Sequence, residues 1–125
     1  MTLDRFINYC LGKPGVEETL PFGPDVLVMK VGGKMFALTR LEELPFRINL
    51  KCDPARALEL RERYPEAIVP GWHMSKKHWN TMYAERDELS DRLVEELIDH
   101  SYALVLKNNR SRGSGPSNVL DNVLD

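Results

Sequence analysis

Gly32 and Gly33 stand side by side between two apolar-rich runs, Val26 to Val31 and Lys34 to Thr39. Adjacent glycines supply the positive φ angles of a two-residue turn, so this stretch predicts a tight β-hairpin and with it an antiparallel sheet. In the register such a turn sets, Leu27 faces Leu38 and Met29 faces Phe36 on one side. Val28, Lys30, Met35, Ala37 and Thr39 line the other.

A further strand follows from the alternation of Phe46, Ile48 and Leu50 with Arg47, Asn49 and Lys51, the period-two pattern of a strand buried on one face. Asp53 and Pro54 then start a helix, an acceptor at the N-cap before a ring that tolerates the first helical position. Ala57, Leu58, Leu60 and Tyr64 give that helix its apolar face, and Pro65 stops it. Leu3, Phe6, Ile7, Cys10 and Leu11 recur at intervals of three and four, predicting a first helix that ends near Gly12, with a loop carrying Glu17 and Glu18 after it. The last helix shows the stripe Leu89, Leu93, Leu97, Ser101 and Leu104, with Val94, Ile98, Tyr102 and Val105 beside it. Between these helices a turn at Pro70 and Gly71 leads to a last strand through Thr81 and Tyr83. The predicted class is α+β: an antiparallel sheet with the N- and C-terminal helices packed on it. Residues 1–109 read as one domain and 110–125 as a flexible tail, closed by the tetrads Asn118 to Asp121 and Asn122 to Asp125.

A chain of 125 residues, 42% hydrophobic and 29% charged, buries an ordinary core without metal or disulfide staples. It has no long apolar run for a membrane and no signal-peptide pattern, so the expected compartment is the cytoplasm. Cys10 and Cys52 lack CxxC or zinc-ligand spacing and read as reduced, partly buried thiols. His73, His78 and His100 offer no i,i+4 metal-binding pair, and Gly32, Gly33 and Lys34 lack the rest of a phosphate loop. Neither a cofactor, a metal nor a catalytic constellation is predicted, and the expected class is a non-enzymatic monomer.

The net charge of -2 argues against indiscriminate coating of nucleic acid. Its distribution is uneven. From Lys30 to Lys77 ten cations oppose six acids, whereas from Glu85 to Asp99 seven acids oppose two cations. Basic and aromatic residues concentrate at Arg47, Asn49 and Lys51 and at Trp72, His73, Lys76, Lys77, His78 and Trp79. Cations hold phosphates and aromatic rings stack on bases, so the mixture suits nucleic acid. The plainer reading is a solvated strand face with its tryptophans in the core. A third is a cleft for a protein or small ligand lined by Trp72, His73, His78 and Trp79.

Six stretches in order, FGPD from Phe22, VGGKMF from Val31, NLKCDP from Asn49, LRERYP from Leu60, PGWHMSKKHWN from Pro70 and LIDHSYALV from Leu97, resemble the MmcQ/YjbR family of small bacterial proteins. The resemblance runs from about Leu3 to Leu106. It implies a CyaY-like fold, with both terminal helices on one face of the sheet, and DNA binding through a double wing of hairpins. The matching positions are Lys34 at the hairpin tip, Asn49 and Lys51 in the third stretch, and Trp72, His73, Lys76, Lys77, His78 and Trp79 in the fifth, with Arg47 beside them. Frataxin-type iron binding, which the same fold suggests, needs an acidic first helix, and here only Asp4 is available.

Overall fold

The computed structural model describes residues 1–112, with side chains through residue 108. Its elements are α1 (Leu3–Leu11), β1 (Val16–Thr19), β2 (Val26–Val31), β3 (Lys34–Arg40), β4 (Ile48–Lys51), α2 (Pro54–Arg63), β5 (Ile68–Pro70), β6 (Trp79–Met82) and α3 (Asp91–Arg112). The strands form one antiparallel sheet in the order β1-β2-β3-β4-β6-β5. The predicted tail at 110 is shortened by α3, which runs on to Arg112; the rest of that segment lies outside the described residues.

The hairpin turns where expected, with φ of 60° at Gly32 and 80° at Gly33. Its register holds near the tip, Val31 opposite Lys34 and Lys30 opposite Met35, and then slips by one: Met29 pairs with Ala37, Val28 with Leu38 and Leu27 with Thr39. The bulge puts Phe36 and Ala37 together in the main core. It sends Leu38 to the opposite face with Val26, Val28 and Met35, correcting the side predicted for it. A bulge leaves main-chain groups without a ladder partner, and here the Phe36 carbonyl accepts the Ser101 hydroxyl at 2.5 Å. Ser101 Oγ in turn accepts from the Lys51 amide at 3.0 Å. One side chain thereby ties α3 to β3 and β4.

All three helices contribute to the cluster on one face of the sheet, through Phe6 and Cys10 of α1, Ala57 and Leu60 of α2, and Val94, Leu97, Ile98 and Val105 of α3. Burying a side chain such as Phe6 or Ile98 completely stabilises the fold by about 1.5–3 kcal/mol. The α3 stripe is centred on Val94, Leu97, Ile98, Ser101 and Val105; Leu89 precedes the helix, although it too is buried. Leu58, expected inside, is exposed. Val16–Thr19 forms an edge strand, so Glu17 and Glu18 lie on β1 rather than in a loop. Its pattern of exposed and half-buried positions carries too little apolar alternation to announce a strand.

Three acids of α3, Asp91, Glu95 and Asp99, are engaged by α1 and the turn after it. Arg5 meets Asp91 and Glu95 at 3.0 Å each, the Tyr9 hydroxyl donates to Asp99 at 2.7 Å, and Lys13 also pairs with Asp99. Burial and the Asp99 hydrogen bond push the Tyr9 phenol up to about 12. Among the described residues no group of three or more His, Cys, Asp or Glu could hold a metal ion, and no helix is long and apolar enough to cross a membrane.

The N-cap of α2 forms as predicted, the Asp53 carboxylate accepting from the Arg56 amide at 3.1 Å, an interaction that contributes about 1 kcal/mol. The Asp53 amide in turn donates to His100 Nε2 at 3.1 Å, which requires a neutral imidazole. Burial, and then the neighbouring Arg56, lower the His100 pKa from its ordinary value.

Two outcomes follow for stability. Replacing Ser101 by Ala orphans the Phe36 carbonyl and the Lys51 amide, and should cost about 1–3 kcal/mol in urea unfolding. Because His100 binds its proton less readily folded than unfolded, stability should fall as pH drops below the unfolded value near 6.5, and keep falling until the folded pKa is passed. His100→Gln should remove that part of the decline, read as the urea midpoint between neutral and mildly acidic pH.

Candidate nucleic-acid interface

The sheet face away from the helices is laid out in rows by the strand pairing. The middle row runs Thr19, Val28, Leu38, Asn49, Thr81 and Val69 across all six strands. On one side of it Val26 pairs with Arg40; on the other, Glu17 pairs with Lys30, Lys30 with Met35, and Lys51 with Trp79.

The Asn49, Thr81 and Trp72 positions form a chain of hydrogen bonds. The Thr81 hydroxyl donates to Asn49 Oδ1 at 2.5 Å and accepts from the Trp72 main-chain amide at 3.0 Å. This holds the start of the 71–78 loop over the sheet and leaves Trp72 48% exposed. Arg47, one residue before β4, lies under it: its guanidinium carbon is 5.1 Å from the centre of the Trp72 ring and 5.4 Å from that of Tyr83. A guanidinium held against two rings gains about 0.5–2 kcal/mol from each, depending on its hydration. Glu43 draws on the same group at 3.4 Å, and on Arg40 at 3.8 Å. His73 is exposed next to Trp72, ring centres 6.2 Å apart and edge-on, and takes a φ of 60°, a left-handed conformation that a non-glycine residue adopts at a cost.

The loop is pinned at both ends. The Gly71 amide donates to the Trp79 carbonyl at 2.9 Å, and a Cβ at Gly71 would stand 2.8 Å from Trp79 Cβ, so only glycine fits. The Cys52 amide donates to the His78 carbonyl at 2.8 Å. Arg61 of α2 donates to the Lys76 carbonyl at 2.9 Å, bringing the basic end of that helix beside Lys76 and Lys77. Both lysines are exposed, and neither takes part in an ion pair among the described residues.

Of the ten residues singled out from the sequence, the structure gathers Arg47, Trp72 and His73 in one cluster and places Lys76 and Lys77 on the same loop. Three are corrected. Trp79 is fully buried, and its Nε1 has no partner among the described residues. Asn49 is 4% exposed and spends its side chain on Thr81, so it positions the loop instead of meeting a ligand. Lys34, 7% exposed beside the hairpin turn, is not a projecting wing tip. Lys51 and His78 are half-buried. Sequence reasoning misses Tyr83 and Glu43 as members of the site, yet Tyr83 shares strand parity with Thr81, a signal that places it on this face.

A cavity of about 330 Å³ is lined by Pro45, Phe46, Tyr83, Glu66, Glu85 and Arg86. Trp72, His73, His78 and Trp79 are not among its lining residues. Burial pushes the Cys10 thiol up to about 12 and the Cys52 thiol to about 11, so both are protonated and poorly nucleophilic at neutral pH.

Comparison with known proteins adds a consistent set of relatives. The family model described as YjbR matches residues 11–104. Uncharacterized protein YbdF of Escherichia coli O157:H7 is 47% identical over 94 residues, 74% of this chain and 75% of its own. Uncharacterized protein YjbR of Escherichia coli K12 is 31% identical over 102 residues, 82% of this chain and 85% of its own. The crystal structure of Deinococcus radiodurans protein DR2400, a DUF419 domain, superposes with a TM-score of 0.81 at 37% identity, covering 99% of this chain and 89% of that one.

The contrasting burial of the two indoles is open to direct measurement. Trp72→Phe should leave an emission shielded from acrylamide, and Trp79→Phe one that acrylamide quenches readily. Equal quenching in the two variants would contradict the placement of the loop.

Proposed function

The chain belongs to the YjbR family, and from that premise we propose that it is a non-enzymatic protein that binds duplex DNA, weakly and with little sequence preference, through the 71–78 loop and Arg47. One observation carries this reading: an exposed indole is held on a guanidinium, on the same short loop as two lysines that form no ion pair among the described residues. Lys76 and Lys77 contact phosphates, while Trp72, held in place by the largely buried Arg47 guanidinium, and His73 lie against sugar or an unstacked base edge. Point-charge contacts with phosphate carry no sequence information, hence the weak preference. The protein acts in the cytoplasm as a monomer, without metal or cofactor.

A second reading, an interaction module for a protein or small ligand, is favoured by the cleft of about 330 Å³, where aromatic and charged side chains meet beside Tyr83. It predicts no dependence of binding on Lys76 or Lys77.

Titration of a short labelled duplex by fluorescence anisotropy tests the DNA reading. Log affinity against log salt should slope clearly downward, and Lys76→Ala with Lys77→Ala should make the slope shallower by roughly two, about one for each phosphate no longer neutralised. Trp72→Ala should weaken binding without changing the slope. Absence of binding at low salt overturns the proposal.

A further inference from the structure

The cleft beside Tyr83 is assembled where three separate connections converge. The Tyr83 amide donates to the Ala67 carbonyl at 2.8 Å, which brings Glu66, just beyond α2, against the end of β6. The Arg86 amide donates to the Tyr83 carbonyl at 3.1 Å and folds Glu85 into a turn at the same place. Pro45 and Phe46 enter from the connection between β3 and β4. The resulting volume of about 330 Å³ falls within the roughly 300–1,000 Å³ of small-molecule sites. Phe46, 8% exposed, and the half-buried Tyr83 give it an apolar floor, while Glu66, Glu85 and Arg86 are exposed at its rim.

The charges around the cleft do not cancel. Arg86 is committed to Glu88, its Nε and Nη2 each 2.9 Å from Glu88 Oε2, and Glu66 acts on it only from beyond ion-pair distance. The amino group of Met1, which donates to the Ala84 carbonyl at 2.5 Å, is paired with Asp91 at 3.0 Å. Arg47, 5.4 Å from the Tyr83 ring centre, is not among the lining residues and is drawn to Glu43 at 3.4 Å. Glu66 and Glu85, by contrast, form no ion pair among the described residues. Glu66, Glu85 and Glu88 thus set three carboxylates against the one guanidinium of Arg86, above an apolar floor. An exposed carboxylate attracts a cation modestly through water, but a cation whose apolar body displaces water from the cleft meets those carboxylates where screening is weaker. A neutral molecule of the same shape gains the burial without the attraction, and an anion gains it against repulsion.

We infer that the cleft takes a small organic cation, an ammonium or guanidinium borne on an apolar body, with the body on Pro45, Phe46 and Tyr83 and the charge between Glu66 and Glu85. The inference rests on the second reading above, that this cleft is a ligand site, and supplies the chemistry of its occupant. It is independent of DNA binding by the 71–78 loop.

Chemical-shift titration of the isotope-labelled full chain with three probes of one shape, phenylbutylammonium, phenylbutanol and phenylbutyrate, tests it. The ammonium should move the amide signals of Phe46, Tyr83, Glu85 and Arg86 saturably and bind about ten-fold more tightly than the alcohol, the order expected for two carboxylates acting partly through water. The butyrate should bind most weakly. Glu66→Gln combined with Glu85→Gln, both at exposed positions, should bring the ammonium down to the affinity of the alcohol and leave the alcohol unchanged. Tighter binding of the butyrate, which would make Arg86 the recognising group, overturns the cation assignment while keeping the cleft as a ligand site, and so does equal binding of all three probes. If no probe moves these signals, the cleft reading falls together with the inference.

Discussion

The hydroxyl of Ser101 is the junction on which the architecture turns. It satisfies a carbonyl that the bulge in β3 leaves without a strand partner and, through its lone pair, the amide at the end of β4. A buried polar group in an apolar core is tolerated only when its hydrogen-bonding capacity is met, and here the two strands meet it jointly. The junction fixes α3 along the sheet. Because α1 lies along α3 through Arg5, Tyr9 and Lys13, it fixes that helix as well. The sheet is thus committed to carrying its helices on one side, while the 71–78 loop covers part of the other.

Charge is divided along the same line. Asp91, Glu95 and Asp99 of α3 face the cations of α1 and the turn after it, so much of the negative charge of that run is neutralised within the molecule. On the helix-free side Glu17 stands opposite Lys30, and Glu43 is shared between Arg40 and Arg47. The overall charge of -2 conceals this division. A phosphate backbone approaching the molecule would feel the local surplus more than the sum, since screening confines exposed charges to roughly 10 Å in 0.1 M salt.

Much of the fold was legible because its signals are local. The glycine pair, the alternation from Phe46 to Lys51 and the Asp-Pro start of α2 each act within a few residues, and each appears where expected. What escaped reading was set by partners remote in sequence. The bulge at Phe36 answers to Ser101, 65 residues away, and reversed the side of Leu38. At the candidate site, residue type pointed to Arg47, Trp72 and the loop lysines, but could not separate two tryptophans seven positions apart, one on the surface and one in the interior. Asn49 looked like a ligand contact because strand parity placed it with Arg47 and Lys51. Parity reports a face and says nothing of what another loop lays upon it.

The fastening of the 71–78 loop bears on how such a protein can diversify. Gly71 and Trp79 close the loop at its base, and the strand hydrogen bonds resume immediately beyond them. The five positions from His73 to Lys77 therefore leave the framework and return to it at almost the same place. Substitutions at the exposed positions of that interval, His73, Lys76 and Lys77, change the charge and shape of this surface without touching the hydrophobic interior, so the loop can vary without compensating changes in the body.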